Sequence, residues 1–205
     1  MGFETTSLQP LGRIVRLQIQ RSKLKLGEKP NRWYDPAPLL AVDELTLTPE
    51  GALARLPDGG TLIDIHHAAH PDTRNIDRLN DLSFGFTAHY AAMRERFGAH
   101  LVDGCAGENI LIETANRISL ADIAGGLVIQ PAGGGAPVRL RGVRVDLPCR
   151  EFSGYASRSS EPQVIKQTLQ FLDGGMRGFY CGLEHSVPIV VAVGDAVLVR
   201  VAEAI

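Results

Sequence analysis

The sequence predicts a mainly β fold, a closed or nearly closed barrel with a few peripheral α-helices. Three observations predict it. Short apolar runs bounded by Gly and polar residues outnumber helical patterns. Twenty-two Gly and 12 Pro in 205 residues supply many turns. Strands do not alternate with helices in the way a doubly wound parallel sheet requires.

Taken in chain order, Arg13 to Gln20 sets Ile14, Leu17 and Ile19 among polar residues, an imperfect alternation that suits a half-buried strand. Phe86, Tyr90, Met93 and Phe97 recur at helical spacing between Ser83, as a cap, and Gly98, as a stop, and this aromatic stripe is assigned to the core. Glu108 to Glu113 and Gly126 to Gln130 read as short strands. Ala132 to Pro137, with three glycines in a row, reads as a flexible loop; it lacks the Lys and Ser/Thr that complete a phosphate-binding loop. In Val138 to Val145 the apolar phase flips at Gly142, which predicts a bulge or sharp bend. After Cys149 a polar loop rich in Gly and Ser is expected. Pro162 then opens a helix whose face carries Ile165, Leu169 and Leu172 and which stops at Gly174-Gly175. Ile189 to Val193, Gly194-Asp195 and Ala196 to Val201 read as two strands joined by a tight turn.

Composition narrows the function. With 44% hydrophobic and 21% charged residues the chain builds a core and is too apolar to be disordered. No apolar run approaches the roughly 18 residues of a membrane helix, and the first dozen residues lack a secretory signal pattern, so a cytoplasmic protein with no membrane contact is expected. Three cysteines, Cys105, Cys149 and Cys181, with no Cys-x-x-Cys spacing, predict free thiols rather than disulfides or a zinc ribbon. Residues 13 to 32 hold seven basic groups against Glu28, and residues 138 to 177 hold seven against four acids. If the two stretches meet in space they form an anion site; nucleic-acid binding is not expected from this pattern.

Four local constellations bear chemistry. Leu147-Pro148-Cys149-Arg150 places a thiol after a strand, between Arg144 and Arg150, and positive charge beside a thiol favours its reactive form. Gly104-Cys105-Ala106-Gly107-Glu108-Asn109 frees the backbone for close approach and offers two polar side chains. Gly174-Gly175-Met176-Arg177-Gly178-Phe179-Tyr180-Cys181 encloses an Arg able to hold a phosphate or carboxylate bidentately. Asp64-Ile65-His66-His67-Ala68-Ala69-His70 gathers enough ligands for a mononuclear metal site; Pro71 opposes a helix there, and in a strand Asp64 and His66 share a face.

In this order these pieces resemble the MOSC domain, the family named for the C-terminal domain of molybdenum cofactor sulfurases. The residues that carry the resemblance are Gly107-Glu108-Asn109 before an apolar strand, Pro148-Cys149 after a basic strand, Arg177-Gly178-Phe179-Tyr180, and Val193-Gly194-Asp195-Ala196-Val197. The match runs from about residue 41 to 201 of a single domain spanning 1–205, with residues 1–40 as its N-terminal strand and basic segment. The resemblance implies a MOSC-like β-barrel in which Cys149 is the catalytic thiol, either carrying sulfur to metal-sulfur centres or ligating molybdenum. Stand-alone bacterial members are similar to reductases of N-hydroxylated compounds.

It also implies a molybdenum cofactor held by Arg177, Asn109, Glu108, Arg144 and Lys23. Asp64 and His67 match a Gly-Asp-Arg-His type segment of the family from which the Arg is missing here. A small-molecule substrate and a sulfur-donor or electron-transfer partner protein follow. The family's accompanying N-terminal barrel and its pyridoxal-phosphate desulfurase domain are both absent from the matching region, so no pyridoxal-phosphate site is expected. Two other readings remain: a non-catalytic small barrel that binds an anionic metabolite or a partner protein, and a hydrolase with Asp64, His66 and His70 on a divalent metal.

Overall fold

The computed structural model describes residues 6–202; the outermost residues of the expected domain, 1–5 and 203–205, lie outside the described residues. Its frame is one long strand. β1 (Thr6–Gln20) hydrogen-bonds in succession to β14 (Ala196–Ala202), β9 (Ile110–Glu113) and β4 (Leu39–Val42), all antiparallel. From β14 the sheet continues through β10 (Leu127–Gln130), β11 (Val138–Val145), β12 (Phe179–Leu183) and β8 (Leu82–Phe86), and the parallel pair β8–β9 brings it back to β1. Seven strands therefore close a barrel, and β4 is an eighth strand appended to the far end of β1.

Two register shifts let β1 serve so many neighbours, one between Pro10 and Gly12 and one between Ile14 and Arg16. The second accounts for the imperfect alternation in the sequence. An extra residue at the bulge moves the next inward position from 16 to 17, so Ile14, Leu17 and Ile19 are all fully buried. The phase flip in β11 has the same origin. Its register against β12 shifts between Arg141 and Arg144, and Gly142 sits at φ 63, a left-handed conformation that a Cβ would disfavour.

The barrel interior is filled by aliphatic residues around a cluster of rings. Phe84 and Phe179 stack with centroids 5.5 Å apart, and Phe86 meets Phe179 edge-on at 5.9 Å. A smaller sheet of β13 (Ile189–Ala192), β5 (Glu44–Thr48), β6 (Gly51–Arg55) and β7 (Thr61–Ile63) joins the same core through Leu45, Leu47 and Val191. The hairpin predicted at Gly194-Asp195 does not form: β13 pairs with β5, and β14 pairs with β1 and β10. Asp195 instead pins a crossing between the two sheets. Its carboxylate accepts from the Ala132 and Ala192 amides at 2.9 and 2.8 Å, and its own carbonyl accepts from the Ile14 amide.

Among the described residues three α-helices lie outside the barrel. α1 (Thr87–Phe97) ends at Gly98 as predicted, but it begins directly after Phe86, and Ser83 lies inside β8 rather than capping the helix. α3 (Pro162–Leu172) carries Pro at its first turn and buries Ile165 and Leu172. Where a loop was expected after Cys149, the chain forms α2 (Arg150–Ser157). Ser153, Gly154 and Ser157 are weak helix formers, so propensity hides it; tertiary burial of Phe152 and Ala156 overrides that preference. A short hairpin, β2 (Lys25–Leu26) with β3 (Trp33–Tyr34), packs on α2. No helix among the described residues is long and apolar enough to cross a membrane.

Candidate functional site

The two basic stretches of the sequence meet at one cavity of about 490 Å³. Lys23, Lys25 and Arg32 reach it from the segment that follows β1, and Arg144 and Arg177 from the ends flanking β11 and β12. Arg74, from the loop before β8, completes a wall of six cationic side chains, against which stand the carboxylates of Asp72 and Asp146. Lys23 pairs with Asp72 at 2.7 Å and Arg32 with Glu151 at 2.5 Å. Arg144 donates to the Asn80 side-chain oxygen at 2.9 Å. The cavity therefore carries surplus positive charge and suits an anion.

Arg177 is the most constrained of the six. Its guanidinium donates to Asp146 at 2.5 Å and to the Ala106 carbonyl at 3.2 Å, and lies 5.4 Å from the centre of the Phe152 ring. Burial opposes its charge, but Asp146, Tyr180 and Cys149 outweigh burial and hold the guanidinium above its ordinary value. Its Nε has no hydrogen-bond partner among the described residues. Arg177 thus joins the strand end at Asp146 to the loop at Ala106, which with Gly107 forms the opposite wall. Gly107 has φ 100, and a Cβ there would stand 2.9 Å from Leu24, so the wall requires glycine.

Cys149 lies beside this cavity rather than in its wall, two residues from the wall residue Leu147. It is half-buried, packs on the cluster that includes Tyr34 and Phe152, and serves as the N-cap of α2, its Sγ accepting from the Phe152 amide at 3.5 Å. The arginines expected to flank it turn away: Arg144 goes to Asn80, and Arg150 donates to the Pro30 carbonyl at 2.6 Å. Cys105 and Cys181 are buried; burial pushes the Cys105 thiol up to about 12 and the Cys181 thiol further up, which makes both poor nucleophiles.

Glu108, Asn109 and Asp64 sit behind the wall as a buried polar seam. Asp64 is fully buried and accepts from the Gln20 amide at 2.8 Å, the His66 amide and ring at 3.0 Å, and the Asn109 side chain at 2.8 Å. Asn109 accepts in turn from the Ser83 amide and hydroxyl at 3.1 Å. Glu108 accepts from the Tyr90 hydroxyl at 3.0 Å, and burial pushes its carboxyl up to about 7. The next two histidines diverge. His66 faces the cavity, whereas His67 points toward Thr48, its ring accepting from the Ala69 amide at 3.1 Å. His70 Nε2 lies 3.3 Å from the Arg21 carbonyl oxygen. Asp64, His66, His67 and His70 therefore do not converge, and among the described residues no three His, Cys, Asp or Glu side chains gather as a metal site needs.

Of the residues singled out in the sequence, Arg177, Arg144 and Lys23 share the cavity, Glu108, Asn109 and Asp64 brace it, Cys149 borders it, and His67 stands apart. Lys25 and Arg32 lay in a basic stretch already noted. Tyr180 stood in the motif around Arg177, whereas Arg74 and Asn80 carried no signal, because a wall residue on a loop follows no periodicity, and Tyr34 lies in a two-residue strand too short to show one.

No family model matches the chain, and no curated protein matches it. Solved structures do. The YUAD protein from Bacillus subtilis superposes with a TM-score of 0.58 at 14% identity over 97% of this chain and 99% of that one. A hypothetical protein superposes with a TM-score of 0.50 at 17% identity, over 92% of this chain and 67% of that one. YiiM from Escherichia coli gives 0.49 at 16% identity, over 94% and 71%. At such identities the likeness is one of fold: the chain is a mainly β, MOSC-like barrel with three helices outside it.

Proposed function

We propose that this barrel holds a phosphate-bearing small molecule in its cationic cavity, with Cys149 as the working thiol at the cavity's edge, acting as a sulfur carrier or molybdenum ligand in molybdenum-cofactor chemistry. The observation that supports it most is the convergence of two basic segments, more than a hundred residues apart, on one cavity beside the helix that Cys149 caps. The pterin of that cofactor ends in a phosphate, and a wall of six cations fits that end. A single thiol supplies one soft donor, which suits a metal that brings its remaining ligands with it.

In this reading Lys25, Arg74 and Arg144 hold the phosphate, Arg177 fixes the Ala106–Gly107 wall, and His66, oriented by Asp64, faces the ligand. Molybdenum held there would supply two-electron redox chemistry for reducing an N-hydroxylated compound, with the electrons coming from an electron-transfer partner protein. In the carrier role the Cys149 thiolate attacks the terminal sulfur of a donor persulfide, forming a Cys149 persulfide and releasing the donor thiolate.

Purification from a molybdate-replete host tests the reading. Molybdenum that is lost in Cys149→Ser supports the ligand role, and cyanide-releasable sulfur without metal supports the carrier role. If Cys149→Ser changes neither metal nor sulfur content, the thiol reading fails. A second reading rests on Cys149 lying outside the cavity wall: a binding module without chemistry. It requires that alkylating Cys149 leave pyrophosphate affinity intact while Arg144→Ala removes it.

A further inference from the structure

The hairpin β2–β3 divides the cationic cavity from a second one of about 320 Å³, which plays no part in the proposed function. Arg32 and Tyr34 stand in the walls of both. The remainder of the second cavity comes from α2 and the turn that follows it, through Arg150, Tyr155, Arg158 and Ser159, and from Ile165 of α3, with Trp33 contributed by the hairpin. Its size lies at the small end of the range for ligand sites, roughly 300 to 1,000 Å³.

The charges on this wall are unbalanced. Glu151 is the carboxylate present, and Arg32 already occupies it. Arg150 donates to Pro30 through Nη1, and its other guanidinium nitrogens have no hydrogen-bond partner among the described residues. Arg158 is exposed, and its guanidinium has no ion-pair or hydrogen-bond partner among the described residues. It stands at the C-cap of α2 in the left-handed region at φ 50. The Ser159 hydroxyl accepts from the Glu161 amide, which leaves its own proton to donate.

The same cavity has an aromatic surface. Trp33 is 56% exposed, far more than an indole placed for core packing, and one side of its ring rests on Gly27, where a Cβ would stand 2.5 Å from it. The free side is a stacking platform. Guanidinium groups take phosphate oxygens in pairs, and an indole takes any flat ring, whatever its edge chemistry.

We propose that this second cavity is a binding site for a planar aromatic anion of the nucleoside monophosphate class, with the phosphate on Arg150 and Arg158 and the base against Trp33. The site adjoins the cationic cavity across Arg32 and Tyr34, and Cys149 is not part of its wall.

Trp33 is the sole tryptophan of the chain, so its emission reports this cavity directly. The full-length protein is titrated with AMP, adenosine and inorganic phosphate. AMP is expected to change the emission saturably, and adenosine and phosphate to bind at least about tenfold more weakly, since each keeps one half of the interaction. Arg158→Gly is the informative variant, because glycine accepts the left-handed conformation and the exposed side chain is removed without backbone strain. It is expected to weaken AMP at least about tenfold with an unchanged circular dichroism spectrum, whereas Arg144→Ala, in the other cavity, leaves AMP binding unchanged. The proposal is overturned if AMP gives no saturable response, if adenosine or phosphate alone binds as tightly as AMP, or if Arg158→Gly binds AMP normally. Loss of AMP binding in Arg144→Ala also overturns it, by moving the ligand to the cationic cavity.

Discussion

The barrel interior and the cationic cavity are built on opposite physics. On one side Phe84, Phe86 and Phe179 pack ring against ring with no polar atom to satisfy. On the other, six cations and two carboxylates face open space. Between the two runs the seam of Asp64, Asn109, Ser83 and Glu108, whose members are buried like a core and hydrogen-bonded like a site. The difference shows where the fold tolerates change. Core and seam carry stability, whereas Lys23, Lys25 and Arg74 of the cavity wall keep their charges in water, where ion pairs add little.

The largest effect is expected in the core. Phe179→Ala removes a fully buried ring that contacts both other phenylalanines, and should cost about 3–5 kcal/mol of unfolding free energy. Urea denaturation checks it. A loss below about 1 kcal/mol would mean that the ring cluster does not organise the barrel.

Next is the seam. Asp64→Ala leaves the Gln20 amide, the His66 amide and the Asn109 side chain without their acceptor, and about 3 kcal/mol should be lost even though no apolar contact is removed. Asp64→Asn, which keeps one acceptor oxygen, should recover part of that loss. If the alanine variant is as stable as the parent, the seam belongs energetically to the cavity rather than to the core.

Glu108 sharpens the comparison through pH. Its carboxyl is raised from the ordinary 4.5 to about 7, so the folded state binds the proton more tightly than the unfolded chain does. Stability contributed by the protonated form is present below about 4.5 and is lost as pH rises to about 7. The loss is on the order of 3 kcal/mol. Glu108→Gln keeps the shape without the ionisation and should flatten the pH dependence of the denaturation midpoint across this range. An unchanged slope would place the titration elsewhere.

The same division governs what the sequence disclosed. Elements built on apolar period were legible: the strand at Ile14, Leu17 and Ile19, the bend at Gly142, and the helix opened by Pro162 all stand where pattern and turn chemistry put them. Elements decided by tertiary burial were not. α2 hides behind poor helix formers, and the strands around Gly194-Asp195 look like a hairpin because a two-residue turn does not reveal that each strand has another partner. The cavity was half legible. Two basic segments announced an anion site, but only the closed barrel decides that they meet, and no spacing rule predicted that His66 rather than His67 would face it.

The smallest stability effect and the sharpest functional one should coincide at the cavity wall. Lys25 is exposed, and Arg144 makes one side-chain hydrogen bond, to Asn80. The double variant Lys25→Ala, Arg144→Ala should unfold within about 0.5 kcal/mol of the parent. It should also bind pyrophosphate at least about tenfold more weakly, because each removed cation takes a charge-assisted contact with it. Calorimetric titration at low and high salt checks both halves of the argument. The parent's affinity should fall with salt, and the variant's should fall less, since part of the screened attraction is already gone. If the variant loses stability but keeps its affinity, the wall is a structural face after all, and the ligand's anionic end lies on the Arg177 side alone.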